Sequence, residues 1–316
     1  MKAVAVKAFK STPELMELPK PQVSPGHILV KMAAAGMNPY DWKLTDGIME
    51  GHMPHVFPLI MGVDGAGIVE EVGEGVTRFQ AGDKVYGQFI HKPIGEGSYA
   101  EYISVPEKVG ITIAPKSIPL TTAAAIPTAG MTAMQLLEKL GLKPGQKLLI
   151  VGATGGVGSF TTEIAAALGL YTVVTASPAN YQRMLDLGAK EIIDHTKAPV
   201  IPQAQVKHPE GVDGLIDLVS NAEEFDKMCG LVKPGGTALT TLFVANAEAI
   251  RSKGLKGGNF ETKGSPEALD ELSNMIDQQK IIVPVGNIIS LKEAPEAVAL
   301  SKNGKARGKT VIEIGL

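Results

Sequence analysis

Residues 147–159 constrain the fold of this chain more than any other segment. They read Lys-Leu-Leu-Ile-Val-Gly-Ala-Thr-Gly-Gly-Val-Gly-Ser, so an apolar, strand-like run leads directly into a glycine-rich turn. A helical pattern follows at once in residues 160–169. A strand, a glycine turn and a helix N-terminus together bind a pyrophosphate, because backbone N–H groups point at the anion and the helix dipole favours its charge.

The spacing of the small residues indicates which kind of turn this is. Ala153, Gly155 and Gly158 stand at the three positions of the dinucleotide-binding fingerprint. The second lets the backbone approach the phosphates, and the third lets the helix pack closely on the sheet. No Gly-Lys-Ser/Thr ends the turn, which excludes a P-loop, and a generic strand-to-helix turn is the alternative. The residues predicted to contact the dinucleotide here are Ala153, Thr154, Gly155, Gly156, Val157 and Gly158.

The loop after the next strand, predicted over 171–176, indicates which dinucleotide is bound. A Rossmann unit reads the adenosine ribose there, about 20 residues past the glycines, and an NAD site carries an acid. This loop has no acid until Asp186, and it offers hydrogen-bond donors that would accept a 2′-phosphate: Ser177, Asn180, Tyr181 and Arg183. The prediction is NADP(H). The alternative for Arg183 is a solvated residue on the following helix.

Composition excludes several classes of protein. The chain has 316 residues, of which 44% are hydrophobic and 20% charged, as in an ordinary globular protein with an ample core. A net charge of −3 with scattered lysines argues against nucleic-acid binding. The single cysteine, Cys229, excludes a disulfide framework and is expected to pack within a helix over 223–231. No signal peptide and no apolar run of membrane-spanning length are seen, so a cytoplasmic protein without membrane contact is expected.

Two patterns divide the chain into two domains. Short β-like runs separated by turns fill the first part, at 3–8, 27–35, 67–72, 84–89 and 100–105, and predict an irregular, mostly antiparallel β-domain. From about Leu120 a helix over 131–140 leads into alternating strands and helices, with strands at 147–151, 171–176, 191–193, 214–219, 236–242 and 255–260. Six strands with helical crossovers predict a doubly wound parallel sheet.

The tail is expected to return to the β-domain. Helices over 266–279 and 291–301 and strands over 281–285 and 309–314 are predicted there. The predicted domains are therefore 1–120, completed by 265–316, and a cofactor domain over 121–264. A cleft between two domains is the default position of a binding site.

Several segments together resemble the medium-chain dehydrogenase/reductase superfamily over essentially the whole chain. The resemblance implies an α/β fold, with a Rossmann doubly wound parallel sheet and an irregular GroES-like β-domain. The segments that carry it are Ala34-Ala-Gly-Met-Asn-Pro-Tyr-Asp-Trp-Lys43, Gly62-Val-Asp-Gly-Ala-Gly-Ile-Val69 with Val72-Gly73, Gly82-Asp-Lys-Val85, Gly97-Ser-Tyr-Ala-Glu-Tyr102, Ala129-Gly-Met-Thr-Ala133, Gly188-Ala189 with Ile193-Asp194, Lys233-Pro-Gly-Gly236 and Gly308-Lys309.

Within that superfamily the chain resembles the zinc-free quinone oxidoreductase branch, which includes zeta-crystallin. Zinc alcohol dehydrogenases place a ligand Cys where this chain has Met37-Asn38, and Gly-His-Glu where it has Gly62-Val63-Asp64. The four-cysteine lobe of the zinc enzymes is absent. Catalytic zinc needs three protein ligands, so no metal is predicted. His52 and His55 are three residues apart, but their neighbours predict a loop.

The resemblance implies an NADPH-dependent, zinc-independent oxidoreductase that transfers hydride to a quinone or an α,β-unsaturated carbonyl. Asn38 is expected to face the nicotinamide or the substrate oxygen, and a turn residue before Pro39 is the alternative. Tyr40 and Lys43 follow in the same motif. Lys43 is expected to contact the nicotinamide ribose or the acceptor, unless it is a solvated lysine. Trp42 is expected to pack, and Asp64 resembles a structural acid.

The remaining cofactor contacts also come from the resemblance. They are Thr132 and Lys309, together with the segment after the fifth strand of the cofactor domain, which is Thr241, Leu242 and Phe243. A homodimer through the cofactor-domain sheet is expected by analogy. Three other functions stay open: an NADPH-binding protein with little catalysis, as in lens crystallins or RNA binders; a zinc-free alcohol dehydrogenase; and an enoyl-thioester reductase.

Overall fold

The computed structural model describes residues 1–304 and 308–315. The strands, in chain order, are β1 (Lys2–Val6), β2 (Glu14–Glu17), β3 (His27–Gly36), β4 (Leu59–Ile60), β5 (Asp64–Val72), β6 (Lys84–Gln88), β7 (Tyr102–Pro106), β8 (Ile111–Ile113), β9 (Lys147–Val151), β10 (Tyr171–Thr175), β11 (Glu191–Ile193), β12 (Val212–Asp217), β13 (Val232–Thr240), β14 (Lys256–Asn259), β15 (Val285–Ser290) and β16 (Lys309–Glu313).

Short to medium helices lie between these strands. They are α1 (Pro39–Thr45), α2 (Leu120–Ala123), α3 (Pro127–Leu140), α4 (Gly156–Ala167), α5 (Tyr181–Asp186), α6 (Val200–Lys207), α7 (Ala222–Cys229), α8 (Ala247–Ser252), α9 (Pro266–Asp277) and α10 (Ala294–Lys302), with single 3₁₀ turns at Pro178–Asn180 and Leu291–Glu293. Among the described residues, no helix is both long and apolar enough to span a membrane.

The chain forms two compact units. The first contains Met1–Thr128, Gly264–Gln279 and the described residues of 283–315, and the second contains Ala129–Lys263 and Lys280–Ile282. The pattern of strands and helices groups residues 121–128 with the second domain, whereas the structure places them in the first unit. The reason is that α2 packs on β3 and β5 through its buried Leu120 and Ala123.

The second unit contains the predicted parallel sheet. Its strand order is β11-β10-β9-β12-β13-β14, and every neighbouring pair is parallel. Because the order reverses at β9, the carboxyl ends of β9, β10 and β12 meet at the edge where such sheets bind ligands. Residues of the strands and of α7, including Leu149, Val173, Leu215 and Phe225, form the core of this unit. Cys229 is buried in α7, as predicted.

The first unit is an irregular and mostly antiparallel β-domain, as predicted. Its larger sheet has the order β15-β16-β3-β5-β6-β8, with β7 paired to β3, and a smaller sheet has the order β2-β1-β4. β3 is central because it pairs with β5, β7 and β16. Its last residues are small, and a Cβ at Gly36 would lie 2.1 Å from the carbonyl oxygen of Ala124. This close approach brings the end of β3 under α2.

One strand of the tail was predicted in the wrong place. The apolar run Ile281-Ile282-Val283 predicts a strand over 281–285, but β15 begins at Val285. Pro284 has no N–H to give to a sheet, so pairing begins only after it. The strand predicted over 309–314 is confirmed as β16, which pairs with β3 and so returns the tail to the first unit. His52 and His55 lie in a loop, as predicted.

Candidate active site

Six polar residues meet in the interior of the first unit, and we call them the Asp64 cluster. They come from four strand ends or loops and two helices: Asn38, Asp41, Asp64, Tyr99, Thr128 and Lys309. Sheet pairing explains their meeting, because Gly36 at the end of β3 pairs with Asp64 at the start of β5 and with Val311 of β16. Strand pairing therefore brings Asn38, Asp64 and Lys309 together where β3 ends. The other three residues of the cluster join them through hydrogen bonds.

Asp64 is completely buried and accepts hydrogen bonds from three residues. Its Oδ2 receives the Nδ2 of Asn38 at 2.8 Å and the backbone N–H of Thr128 at 3.0 Å. Its Oδ1 receives the hydroxyl of Thr128 at 2.6 Å. The ammonium of Lys309, also buried, lies 3.3 Å from Oδ2 and supplies the opposite charge. A buried carboxylate is tolerated only with such partners, and here the hydrogen bonds and the opposite charge supply them.

Asn38 uses both ends of its amide inside the cluster. Its Nδ2 donates to Asp64 and, at 3.2 Å, to the carbonyl of Gly36, while its Oδ1 accepts from Lys309 at 2.7 Å. Its backbone is extended and stands just before Pro39, so it is also the residue from which α1 starts. The turn position before Pro39 is therefore observed, while the contact of Asn38 with the nicotinamide or the substrate stays a prediction. A substrate oxygen could receive its amide only by displacing an internal acceptor, and the longer bond to Gly36 is the weaker of the two.

Asp41 is the second buried acid of the cluster. It accepts from the backbone N–H of Asn38 at 2.7 Å, from the hydroxyl of Tyr99 at 2.7 Å and from the N–H of Val63 at 3.1 Å. Burial raises the pKa of Asp41 to about 7, although the hydrogen bonds from Asn38 and Tyr99 lower it; nearby Asp64 raises it further and Lys309 opposes this. Burial and Asp41 also raise the pKa of Tyr99. Asp41 therefore exchanges a proton near neutral pH.

Sequence reasoning missed Asp41 and Tyr99. The available signal was the spacing of Asn38 and Asp41, which is that of a helix-capping pair in which the acid accepts from the first backbone N–H. Tyr99 carries no comparable local signal, because its partner is 58 positions away. Thr128, which also accepts from the Nε2 of Gln88 at 2.7 Å, was missed for the same reason.

Tyr40 and Lys43 lie on α1 but outside the Asp64 cluster. Tyr40 packs against apolar residues that include Val6 and Leu44. The ammonium of Lys43 lies 5.7 Å from the ring centre of Trp42. Trp42 itself packs against the core around Met37 and Tyr99, as predicted. The structure thus joins Asn38 to Lys309, which sequence reasoning assigned to the cofactor, and not to Tyr40 or Lys43.

The donors around Asn38 do not fit a zinc ion. Met37 and Val63, which stand at two positions where zinc relatives have ligands, are buried in apolar clusters. A cation at Asn38 and Asp64 would also meet the ammonium of Lys309, which already bonds to both. Within residues 1–304 and 308–315, no three His, Cys, Asp or Glu side chains are grouped as metal ligands. The ring of His55 packs edge-on against Phe9 instead.

The glycine turn of the second unit connects β9 to α4 with the geometry that an anion site needs. Gly152 has φ +85°, in the region that favours glycine. A Cβ at Gly158 would lie 2.4 Å from the carbonyl oxygen of Gly152, so only glycine lets α4 approach the strand. A Cβ at Gly155 would meet nothing closer than 3.6 Å, and this residue is exposed where α4 begins. The first N–H groups of α4 therefore face an open surface, which fits a pyrophosphate.

Arg183 braces this turn from α5. Its Nη2 donates to the hydroxyl of buried Ser159 at 3.0 Å, and its Nη1 donates to the carbonyl of Thr154 at 3.3 Å. Partial burial lowers the pKa of its guanidinium without discharging it. Arg183 is consequently not a solvated residue of the helix. It joins α5 to the glycine turn and places a positive charge beside it.

The predicted ribose-reading residues lie together after β10. The Nδ2 of Asn180 donates to the hydroxyl oxygen of Ser177 at 3.2 Å. The hydroxyl of Tyr181 donates to the carboxylate of Asp194, an acid that the sequence analysis placed in a family motif but not at the ribose. Asp194 follows β11, the neighbour of β10 in the sheet. The predicted strand over 191–193 could have pointed to it, because the carboxyl ends of neighbouring parallel strands meet at one edge.

The other predicted cofactor residues occupy two further places in the second unit. The hydroxyl of Thr132 lies 2.6 Å from that of Thr262, which sequence reasoning missed. Thr241, Leu242 and Phe243 follow β13 at the carboxyl edge of the sheet. Phe243 is 62% exposed and has φ +58°, which is uncommon for an aromatic residue. Such strain is concentrated at functional positions.

Comparison with known proteins agrees with this arrangement. The model of the alcohol dehydrogenase GroES-like domain matches residues 24–116, and that of the zinc-binding dehydrogenase matches residues 187–312. A chloroplast envelope quinone oxidoreductase homolog of Arabidopsis thaliana is 31% identical over 95% of this chain and 93% of its own length. The 2-methylene-furan-3-one reductase of Solanum lycopersicum is 31% identical over 92% of this chain and 73% of its own length. The solved structure of the quinone oxidoreductase from Coxiella burnetii superposes with a TM-score of 0.88 at 27% identity, over 99% of both chains.

Proposed function

The chain belongs to the medium-chain dehydrogenase/reductase family, and we propose that it reduces a quinone or an α,β-unsaturated carbonyl with NADPH, without zinc. It is an oxidoreductase, as its quinone and enone reductase relatives indicate. The observation that carries the proposal is the open glycine turn, with its positive charge from Arg183, at the start of α4. The name of the Solanum relative describes an α,β-unsaturated ketone, which is one of the two acceptor classes proposed here.

In the proposed reaction the second unit binds the cofactor and the first unit binds the acceptor. NADPH, when bound, supplies a hydride to an electron-poor carbon or ring. Gly155 and Gly156 hold the pyrophosphate with the N-terminus of α4, while Thr132 and residues 241–243 orient the nicotinamide end. The acceptor oxygen becomes negative during reduction and needs hydrogen-bond donors. We assign that contact to Asn38, with Tyr40 and Lys43 as further polar groups of the same motif.

The Asp64 cluster gives Asn38 a fixed position. Lys309 donates to the amide oxygen and Asp64 accepts from the amide nitrogen, so the side chain cannot rotate without breaking a hydrogen bond to a charged group. Asp41, whose pKa is about 7, accepts a hydrogen bond from the backbone N–H of Asn38 and so holds the backbone of this residue as well. Lys309 therefore acts in the first unit through Asn38, in addition to the cofactor contact that the family resemblance implies.

Activity is expected to be independent of zinc, because Lys309 already supplies the cation that Asn38 and Asp64 can hold. Reductase activity should survive exhaustive chelation, and elemental analysis should find well under one zinc per chain. Stoichiometric zinc whose removal abolishes activity would contradict this part of the proposal.

NADPH is expected to bind more tightly than NADH, since Ser177 and Asn180 offer donors and no acid occupies their loop. Ser177→Asp should weaken NADPH binding at least tenfold, because a carboxylate would face a phosphate of about −2 charge. Titration of both nucleotides into the wild type and the variant measures this, and equal wild-type affinities would contradict it.

The reaction itself is tested with deuterated NADPH. The label should appear on the β-carbon of an enone, where it persists, and the reductase should also consume NADPH with a panel of quinones. Asn38→Ala should lower turnover by more than it weakens NADPH. Tight NADPH binding without turnover on either panel would favour the alternative, a nucleotide-binding protein with little catalysis, and turnover confined to thioesters would favour an enoyl-thioester reductase.

We further propose a cytoplasmic homodimer. β14 ends the six-stranded sheet and offers an edge that a second copy could extend. Light scattering of the purified protein measures the mass, and a monomer at micromolar concentration would contradict the dimer.

A further inference from the structure

The second unit carries an acid at the place where its nucleotide preference is decided. The backbone N–H of Ala176 donates to the carbonyl of Ile193 at 3.1 Å, so the residues that follow, Ser177 and Asp194, leave neighbouring strands side by side. Asp194 is thus an acid of the ribose-reading edge, although it lies 17 positions beyond Ser177 in the sequence.

We propose that Asp194 determines nucleotide specificity: it repels a 2′-phosphate and competes with it for the hydroxyl of Tyr181, and so limits the preference for NADPH over NADH. This inference rests on the proposed function, since it concerns the same nucleotide site. The Asp194 carboxylate would oppose binding of the 2′-phosphate, whereas the hydrogen-bond donors of the loop favour it.

The surroundings of Asp194 keep its carboxylate charged and in place. Its Oδ1 accepts from the hydroxyl of Thr196 at 2.6 Å and from the backbone N–H of Thr196 at 2.9 Å. These bonds, with a smaller contribution from Tyr181, lower the pKa of Asp194. The acid is therefore ionised throughout the neutral range.

Tyr181 connects this acid to the predicted phosphate donors. Its hydroxyl donates to Asp194, while Ser177 and Asn180 bond to each other just before it. A phenol has a single O–H, so it cannot donate to Asp194 and to a 2′-phosphate at once. Binding of NADPH must therefore either break the Tyr181–Asp194 bond or do without this donor.

Arg183 does not cancel this effect. Its guanidinium is turned towards Thr154 and Ser159 of the glycine turn, where it serves both nucleotides equally. Arg183 is therefore not the partner of the Asp194 carboxylate, which keeps its negative charge at this edge.

The test measures binding, by calorimetry, of adenosine 2′,5′-bisphosphate and of ADP, which lacks the 2′-phosphate, together with NADPH and NADH. Asp194→Asn should raise the affinity for adenosine 2′,5′-bisphosphate and for NADPH five- to tenfold. The affinities for ADP and NADH should stay within twofold of the wild-type values. The gain should shrink at high salt, because exposed charges are screened. Asp186→Asn is the matched control: it removes an exposed acid of α5 that bonds only locally, to Gln182, and should change neither ratio.

A double-variant comparison separates repulsion from competition. If Asp194→Asn releases the hydroxyl of Tyr181 to the phosphate, adding Tyr181→Phe should remove part of the gain, whereas Tyr181→Phe alone should have little effect. The proposal is overturned if Asp194→Asn leaves the NADPH-to-NADH ratio unchanged, or changes it no more than Asp186→Asn does. Wild-type protein that binds neither NADPH nor NADH would overturn the proposed function and this inference with it.

Discussion

The Asp64 cluster and the glycine turn use polar groups in opposite ways. In the cluster, two acids, an amide and an ammonium satisfy one another away from water. In the glycine turn, Arg183 and the packing of Gly158 hold the backbone in shape from outside, while exposed Gly155 leaves the helix N-terminus accessible. This difference indicates that the polar groups of the Asp64 cluster stabilise the fold, whereas those of the glycine turn leave a surface on which an anion can bind. Substitutions should therefore affect stability in one and binding in the other.

The largest expected effect is on the stability of the Asp64 cluster. Asp64→Asn should lower the free energy of unfolding by about 3–5 kcal/mol, because the ammonium of Lys309 stays buried without its counter-charge. Denaturant unfolding measures it. The double variant Asp64→Asn with Lys309→Met should recover a large part of the loss, since no charge is then stranded. A single variant as stable as the wild type would show that the cluster is not held by this ion pair.

The glycine turn should separate stability from binding. Gly158→Ala forces a Cβ against the carbonyl of Gly152 and should cost about 1–3 kcal/mol of stability as well as nucleotide affinity. The added Cβ of Gly155→Ala meets no close neighbour in the protein, so this variant should keep the wild-type melting temperature. Its affinity for NADPH should fall at least tenfold. Thermal unfolding and nucleotide titration of the two variants give the comparison. Unchanged NADPH affinity in Gly155→Ala would place the phosphates elsewhere.

The pH dependence of stability should reveal Asp41. Its pKa is raised from 3.8 to about 7 in the folded protein, so the folded state binds the extra proton between these values. The stabilisation is complete below about pH 4 and is lost as the pH rises to about 7, with a slope of up to about 1.4 kcal/mol per pH unit. Relative to Asp41→Asn, the wild type should lose stability over this range. Asp186→Asn, which removes an exposed acid, should keep the wild-type dependence of stability on pH. If the stability of Asp41→Asn also followed the wild-type pH dependence, the raised pKa of Asp41 would be contradicted.

The smallest expected effect concerns Arg183. Arg183→Met removes two hydrogen bonds to the turn, at Thr154 and Ser159, and should weaken NADPH and NADH by the same factor of about five, or about 1 kcal/mol. Gln182→Met, at the neighbouring exposed position, is the control. A loss confined to NADPH would instead assign Arg183 to the 2′-phosphate and would sharpen the distinction between the two nucleotides.

How much the sequence could predict differs between the same two regions. The glycine turn is contiguous, and each of its residues has a local conformational reason, so residues 147–159 were sufficient to predict it. The Asp64 cluster is assembled by strand pairing: the family resemblance named Asn38, Asp64 and Lys309, but Tyr99 and Thr128 are brought in only by tertiary contacts. Asp194 could not be assigned to the ribose from the loop after β10 alone, because only the pairing of β10 with β11 brings it to that edge.

The ion pair of Asp64 and Lys309 also has a consequence for synthesis. The two residues are 245 positions apart, and the entire second unit lies between them. At 5–20 residues per second, a ribosome makes Lys309 roughly 10–50 s after Asp64. During that interval the nascent first unit carries an acid whose counter-ion does not yet exist. The last strand of the parallel sheet, β14, ends at Asn259, so the second unit has all its strands before Lys309 is made. The nucleotide-binding half is therefore expected to fold on the ribosome first, and the half that carries Asn38 is expected to close only when β16 emerges.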